Sequence, residues 1–307
     1  MQLTFYKSWG VDRGSLACCA WLIFAAAMCG CRSWPWRSGP VPDSVSTCRD
    51  LSSQALVAIE RGQWQESEGL LRQAIKTCPI DADAHRHLAE VLVNRNATNE
   101  ALTHLEEARR LVPHDTSLTI RVGELYLNGG QIKQAERRAE QAIQLDRKSP
   151  DSWALRGRVR HAQGDLRAAL SDLQQALHYR PDNPVLLSEI SRLYIAMRRP
   201  DRALLYAQAL SDTFVSGSVP IEVIDLQAQA YTALGRRKDA VVCRQQICQT
   251  SPTAANFFAL AQAELARGDA ANAEAALQQA LSIKPNHQPS LQLMQIARAK
   301  SHNTALR

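Results

Sequence analysis

Cysteine and histidine are the side chains best suited to chemistry in this chain of 307 residues, and there are eight of each. His85 and His87 stand two apart, which on a helix points them to different sides, whereas a metal-binding pair sits at i and i+4. Both are expected to be ordinary surface histidines. No cysteine pair has zinc-type spacing, and the chain has neither a phosphate-binding glycine loop nor a nucleophile elbow. No catalytic residue, metal ligand or cofactor is therefore expected, and the chain reads as a non-enzyme. Asn96-Ala97-Thr98 is a glycosylation sequon only in a host that glycosylates its secreted proteins.

Four of the cysteines, Cys18, Cys19, Cys29 and Cys31, belong to an amino-terminal segment of a different kind. Lys7 and Arg13 precede an apolar run from Leu16 to Met28. That run falls short of the ~20 residues a membrane span needs and suits the core of a secretory signal. It ends in Met28-Cys29-Gly30-Cys31, which resembles a bacterial lipoprotein signal, where a small residue precedes the cysteine that carries the lipid. The resemblance implies a signal peptide over 1–30, lipidation at Cys31, and export to a bacterial cell envelope with a lipid anchor in a membrane. Met28 and Cys29 depart from the usual pattern, so plain secretion, an uncleaved anchor and a chance apolar stretch stay open. Residues 31–47, with Trp34, Pro35, Trp36, Pro40, Pro42 and many serines, read as a lipid-anchored tether.

The rest of the chain runs on a clock. Ala101, Ala135, Ala169, Ala203, Ala240 and Ala273 follow one another at intervals of 34, 34, 34, 37 and 33. Seven residues after each comes Ala108, Ala142, Ala176, Leu210, Ile247 or Ala280, and most units then reach a proline: Pro79, Pro113, Pro181, Pro252, Pro285. A turn residue recurs as well, at Gly62, Asn96, Gly130, Gly164, Arg198, Gly235 and Gly268. Glycine and asparagine tolerate the left-handed backbone that ends a helix, and proline cannot continue one. Each unit thus reads helix, tight turn, helix, stop. Apolar residues fall at helical intervals between the stops, as in Leu88, Ala89, Leu92, and no segment alternates with period two. Fixed self-similarity of this length means one supersecondary unit stacked many times.

This pattern resembles the tetratricopeptide repeat (TPR). Trp153, Gly157, Ala169, Leu173, Ala176 and Pro181 carry the likeness in the fourth unit, and Gly123, Tyr126, Ala135 and Ala142 in the third. Seven units fit in register, at 48–81, 82–115, 116–149, 150–183, 184–220, 221–253 and 254–287, with a capping helix over 288–301. The resemblance implies an all-α, right-handed superhelical solenoid. Arg160 and Glu264 stand where the family has tyrosine, and extra residues around Phe214–Pro220 predict a longer loop. Cys48 opens the first helix of the first unit and Cys78 closes its antiparallel partner, so a Cys48–Cys78 bridge is expected in an oxidising compartment, with two free buried thiols as the alternative. Cys243 and Cys248 are expected to be packing residues.

In this family the first helix of each unit lines a concave groove that holds a partner segment. Carried over, that face consists of Arg86, Glu90, Asn94, Glu124, Asn128, Arg158, His161, Arg192, Asp225, Gln229, Phe258 and Gln262. It runs acidic, basic, acidic, then apolar, and the basic stretch of Arg158, His161 and Arg192 is expected to receive an acidic segment. No three successive units supply the lysine, arginine and asparagine of the family's chaperone-tail clamp. The net charge of +6, spread over an elongated surface, implies no nucleic-acid partner and modestly favours an anionic lipid or polymer surface. The function these features predict is a protein-binding scaffold, exported and membrane-tethered. The alternatives are an accessory subunit of an envelope enzyme or assembly system (pilus, peptidoglycan or glycosyl transfer) and a self-associating structural protein.

Overall fold

The computed structural model describes residues 43–214 and 219–305. The signal segment, Cys31 and most of the tether lie outside the described residues. Among the described residues there are fifteen helices and no strand. Seven antiparallel pairs follow one another: α1 (Asp43–Glu60) with α2 (Trp64–Thr77), α3 (Ala82–Asn94) with α4 (Thr98–Leu111), α5 (Thr116–Asn128) with α6 (Ile132–Leu145), and α7 (Pro150–Ala162) with α8 (Leu166–Tyr179). Then come α9 (Pro184–Ala196) with α10 (Pro200–Asp212), α11 (Ile221–Ala233) with α12 (Arg237–Thr250), and α13 (Ala254–Arg267) with α14 (Ala270–Ile283). A single helix, α15 (Gln288–Ala305), covers the last pair. The first helix begins at Asp43 and not at the Cys48 boundary that the period sets, so part of the expected tether is helical.

The recurring turn residues all adopt positive φ, including the two that are not glycine, Asn96 at 61° and Arg198 at 56°. A second periodic signal, absent from the sequence reading, opens the first helices. Asp81, Asp115, Ser149, Asn183 and Thr253 stand in register as N-caps, and their side-chain oxygens accept from backbone N–H groups such as Asp83 and Ala84 in α3. Each such cap is worth about 1 kcal/mol. Pro220 takes this place before α11, where the connection lengthens to residues 213–220 as the extra residues require.

The recurring alanines are the contact points of the stack. Ala101, Ala135, Ala169, Ala203 and Ala273 are 0% exposed and Ala240 is 2%. Opposite them, small residues bring paired helices together. A Cβ added at Gly157 would lie 2.9 Å from Leu173 Cγ and 3.2 Å from the carbonyl oxygen of Ala169. At Gly123 it would meet Leu155 Cδ2 of the next unit's α7 at 2.5 Å, so there the small residue admits the neighbouring first helix. The apolar core is a string of clusters, one passing into the next, as a solenoid demands.

Candidate partner-binding face

Several first helices touch the first helix of the next unit, α1 with α3, α5 with α7, α9 with α11 and α13 with α15, while no two second helices pack comparably among the described residues. The first helices therefore share one face. Along it runs a column set by the period: Glu90, Glu124, Arg158, Arg192, Gln229 and Gln262, one side chain per unit, each exposed or half-buried. Asn94 and Asn128 extend it on α3 and α5, both exposed. All of these are positions that the family resemblance predicts for the inward face.

Charge is arranged differently from the expected run of acidic, basic and acidic stretches. Arg158 Nε donates to Glu189 Oε1 at 2.8 Å, and Arg158 Nη1 donates to Glu124 Oε1 at 3.3 Å. Glu124 also meets Arg121 at 3.3 Å, so a four-membered ladder ties α5, α7 and α9 together. Arg158 is thus occupied and does not form a free basic patch with its neighbours. His161 and Arg192 are exposed and make no ion pair among the described residues.

Elsewhere on this face the groups are also largely paired. Arg86 holds Asp83 at 2.9 Å. Glu90 lies 3.7 Å from His87 Nδ1, and the approach of His87, with Arg86 and Arg121 nearby, keeps its carboxyl below the usual range. Asp225 accepts from Gln229 Nε2 at 2.6 Å and is bridged by Arg244 from α12. Phe258 packs edge-on against His287, with ring centroids 5.7 Å apart, and joins the carboxy-terminal cluster, so it is more a core residue than a contact residue. Gln262 lines a cleft of about 360 Å³ together with Arg237, Arg244 and four alanines of α12 and α13.

The family's tyrosine position carries a bond between helices. Tyr126 donates its hydroxyl to Glu106 Oε1 at 3.0 Å, beside Arg138 at 2.6 Å and Arg109 at 2.8 Å. Burial would raise the Glu106 carboxyl, but the hydrogen bonds from Arg109 and Arg138 outweigh it and hold it low. Arg160 does the corresponding work in its unit, meeting Asp172 Oδ2 at 2.8 Å, while Arg156 grips the same carboxylate with two bonds of 2.9 Å. Glu264 is 2% exposed with Arg267 at 2.8 Å, and burial raises its carboxyl.

His85 departs from expectation. It is 6% exposed, with Nε2 at 3.2 Å from the Pro79 carbonyl and Nδ1 at 3.0 Å from His104 Nδ1. A carbonyl only accepts, so His85 carries its proton on Nε2 and His104 donates through Nδ1. Cys48 and Cys78 share one cluster, as antiparallel ends must, but both are free thiols and no bridge joins them. Cys48 donates to Asp81 Oδ2 at 3.3 Å, and burial with that carboxylate pushes its thiol up to about 12. Cys243 and Cys248 are buried packing residues. Among the described residues no group of three or more His, Cys, Asp or Glu is placed to hold a metal ion, and no helix is long and apolar enough to cross a membrane.

Comparison with known proteins agrees with this geometry. Tetratricopeptide repeat models match residues 53–116, 95–159, 160–215 and 254–287. Human tetratricopeptide repeat protein 33 is 26% identical over 165 residues, covering 51% of this chain and 63% of its own length. The chain spans less than two thirds of the first curated relatives it matches. A tetratricopeptide repeat protein from Parabacteroides merdae superposes with a TM-score of 0.60 at 15% identity, over 82% of this chain and 99% of that one. PilW, described as a widely conserved type IV pilus biogenesis factor, gives 0.61 at 16% identity, over 67% and 94%. With the register, the turns and the shared first-helix face, these matches establish that the chain belongs to the tetratricopeptide repeat family.

Proposed function

We propose that this protein is an exported, membrane-tethered scaffold, without catalysis of its own, that holds an extended segment of another protein along its first-helix face. The observation carrying the proposal is the column of polar side chains from Glu90 to Gln262, one per unit, on helices that touch. Such a face presents hydrogen-bonding groups about 10 Å apart, the distance between packed helices. An extended chain covers that distance in about three residues. Export and anchoring rest on the apolar run Leu16–Met28 and on Cys31 after Gly30.

A photo-crosslinking side chain placed at Arg192, Gln229 or Gln262 should capture a protein partner in the native membrane fraction, and the same group at Leu205 or Val242 on the second helices should not. Equal capture from both faces would refute the choice of face. Cys31→Ser should release the protein from the membrane fraction or leave unprocessed precursor, and normal processing with full retention would refute the anchor.

A further inference from the structure

The turns that join the first and second helices lie along one edge, because every unit repeats the same hairpin in the same register. In units four to six this edge is strongly basic. Arg167, Arg198, Arg199, Arg237 and Lys238 are all exposed there. Of the nearby carboxylates two are committed to other partners, and the third, Asp201, is exposed. Asp165 caps α8 through the Ala168 N–H at 3.0 Å, Asp239 holds Arg236 at 2.7 Å, and Asp201 stands 4.0 Å from Arg202. The five cations have no ion-pair partner among the described residues.

Two features show that helix stability does not account for them. Arg167, Arg237 and Lys238 sit in the first turn of α8 and α12, where the positive end of the helix dipole disfavours cations and favours acids. Arg198 occupies the left-handed turn position at φ 56°, where five other units have glycine. The chain therefore keeps cations where its own backbone would be better off without them. Arg192, exposed on α9 and without an ion pair among the described residues, continues the basic surface from this edge onto the first-helix face.

We propose that this edge is a second binding surface, a lip of the groove that takes an extended acidic segment of a partner protein. The clusters recur once per unit, about 10 Å apart, and an extended strand brings every third residue to that spacing. The lip rests on the reading of the solenoid as a partner-binding scaffold but uses the edge in place of the column. Its failure would leave the crosslinking result on the column untouched.

The test uses the full chain and a fluorescein-labelled peptide of five Glu-Gly-Ser triplets. Binding should weaken more than tenfold between about 20 and 200 mM salt. The reversal variant Arg167→Glu, Arg199→Glu, Arg237→Glu, Lys238→Glu should lose the peptide by at least tenfold while melting no lower than wild type, since two of the reversed helices gain acids in their first turn. A milder variant, Arg199→Gln, Arg237→Gln, Lys238→Gln, should lose it in part. Peptide affinity equal in wild type and both variants, or no binding at low salt, would overturn the lip. So would a reversal that lowers salt-sensitive association with vesicles of three parts phosphatidylcholine to one part phosphatidylglycerol while leaving the peptide bound, which would assign the edge to a lipid surface.

Discussion

Replacing Arg158 by glutamate puts a third carboxylate between Glu124 and Glu189, at the centre of the ladder that ties three units together. The side chains of Arg158, Glu124 and Glu189 are 32%, 28% and 26% exposed, so the ladder lies between a surface pair, worth about 0–1 kcal/mol, and a buried one, whose breaking costs about 3–5 kcal/mol. Glu124 would keep Arg121, but Glu189 would lose its ion-pair partner, and its Oε2 is already buried without a hydrogen bond. Arg158→Ala should therefore cost about 1–2 kcal/mol and Arg158→Glu about 2–3 kcal/mol. Arg192→Glu, one unit along on an exposed and unpaired side chain, should stay within about 0.5 kcal/mol. Melting should fall by roughly 2–4 °C per kcal/mol for a chain of this size. Because each unit contacts only its neighbours, amide exchange should rise in α5, α7 and α9 and stay unchanged in α1, α2 and α14. Equal stability of Arg158→Glu and Arg192→Glu would refute the ladder and return Arg158 to solvent.

Burial lowers the pKa of His104, His85 and Arg72 act in the same sense, and Glu100 opposes them. The folded state thus binds fewer protons than the unfolded chain just below pH about 6.5, and stability should fall as pH drops through that value. His104→Gln should flatten this acid limb, and parallel melting curves for the two proteins would refute the assignment. Glu264→Gln should raise the melting temperature at pH 7, where the unfolded chain is ionised but burial disfavours the charge, and have little effect near pH 4. A variant less stable at pH 7 would mean that the Arg267 pair outweighs burial. Iodoacetamide at pH 8 should label Cys78 well before Cys48 in the native protein and both after unfolding. Labelling of neither thiol until a reductant is added would reveal the bridge between them.

The architecture is legible in the sequence because a solenoid writes its contacts at fixed intervals. Arg198 shows how far that goes: the period alone places an arginine in a left-handed turn, and its φ of 56° agrees. The N-cap series Asp81, Asp115, Ser149 and Asn183 is written just as plainly, in residues that accept from the next turn's N–H groups. The electrostatics is not legible in the same way. Glu189 pairs with Arg158 across units from a place whose counterpart one unit earlier is the fully buried Leu155, so no periodic rule anticipates it. His85 looks exposed by helical spacing, but His104 from the neighbouring helix covers it. Period fixes where a side chain stands, whereas its charge state depends on which neighbours reach it, and those are chosen one by one. The same distinction separates the two basic features of this protein. Arg158 stands on the predicted face and is spent on structure, while Arg199, Arg237 and Lys238 stand at the edge with no ion-pair partner among the described residues. A cation that no described carboxylate neutralises, held at a helix start where it opposes the dipole, is the better place to look for a ligand.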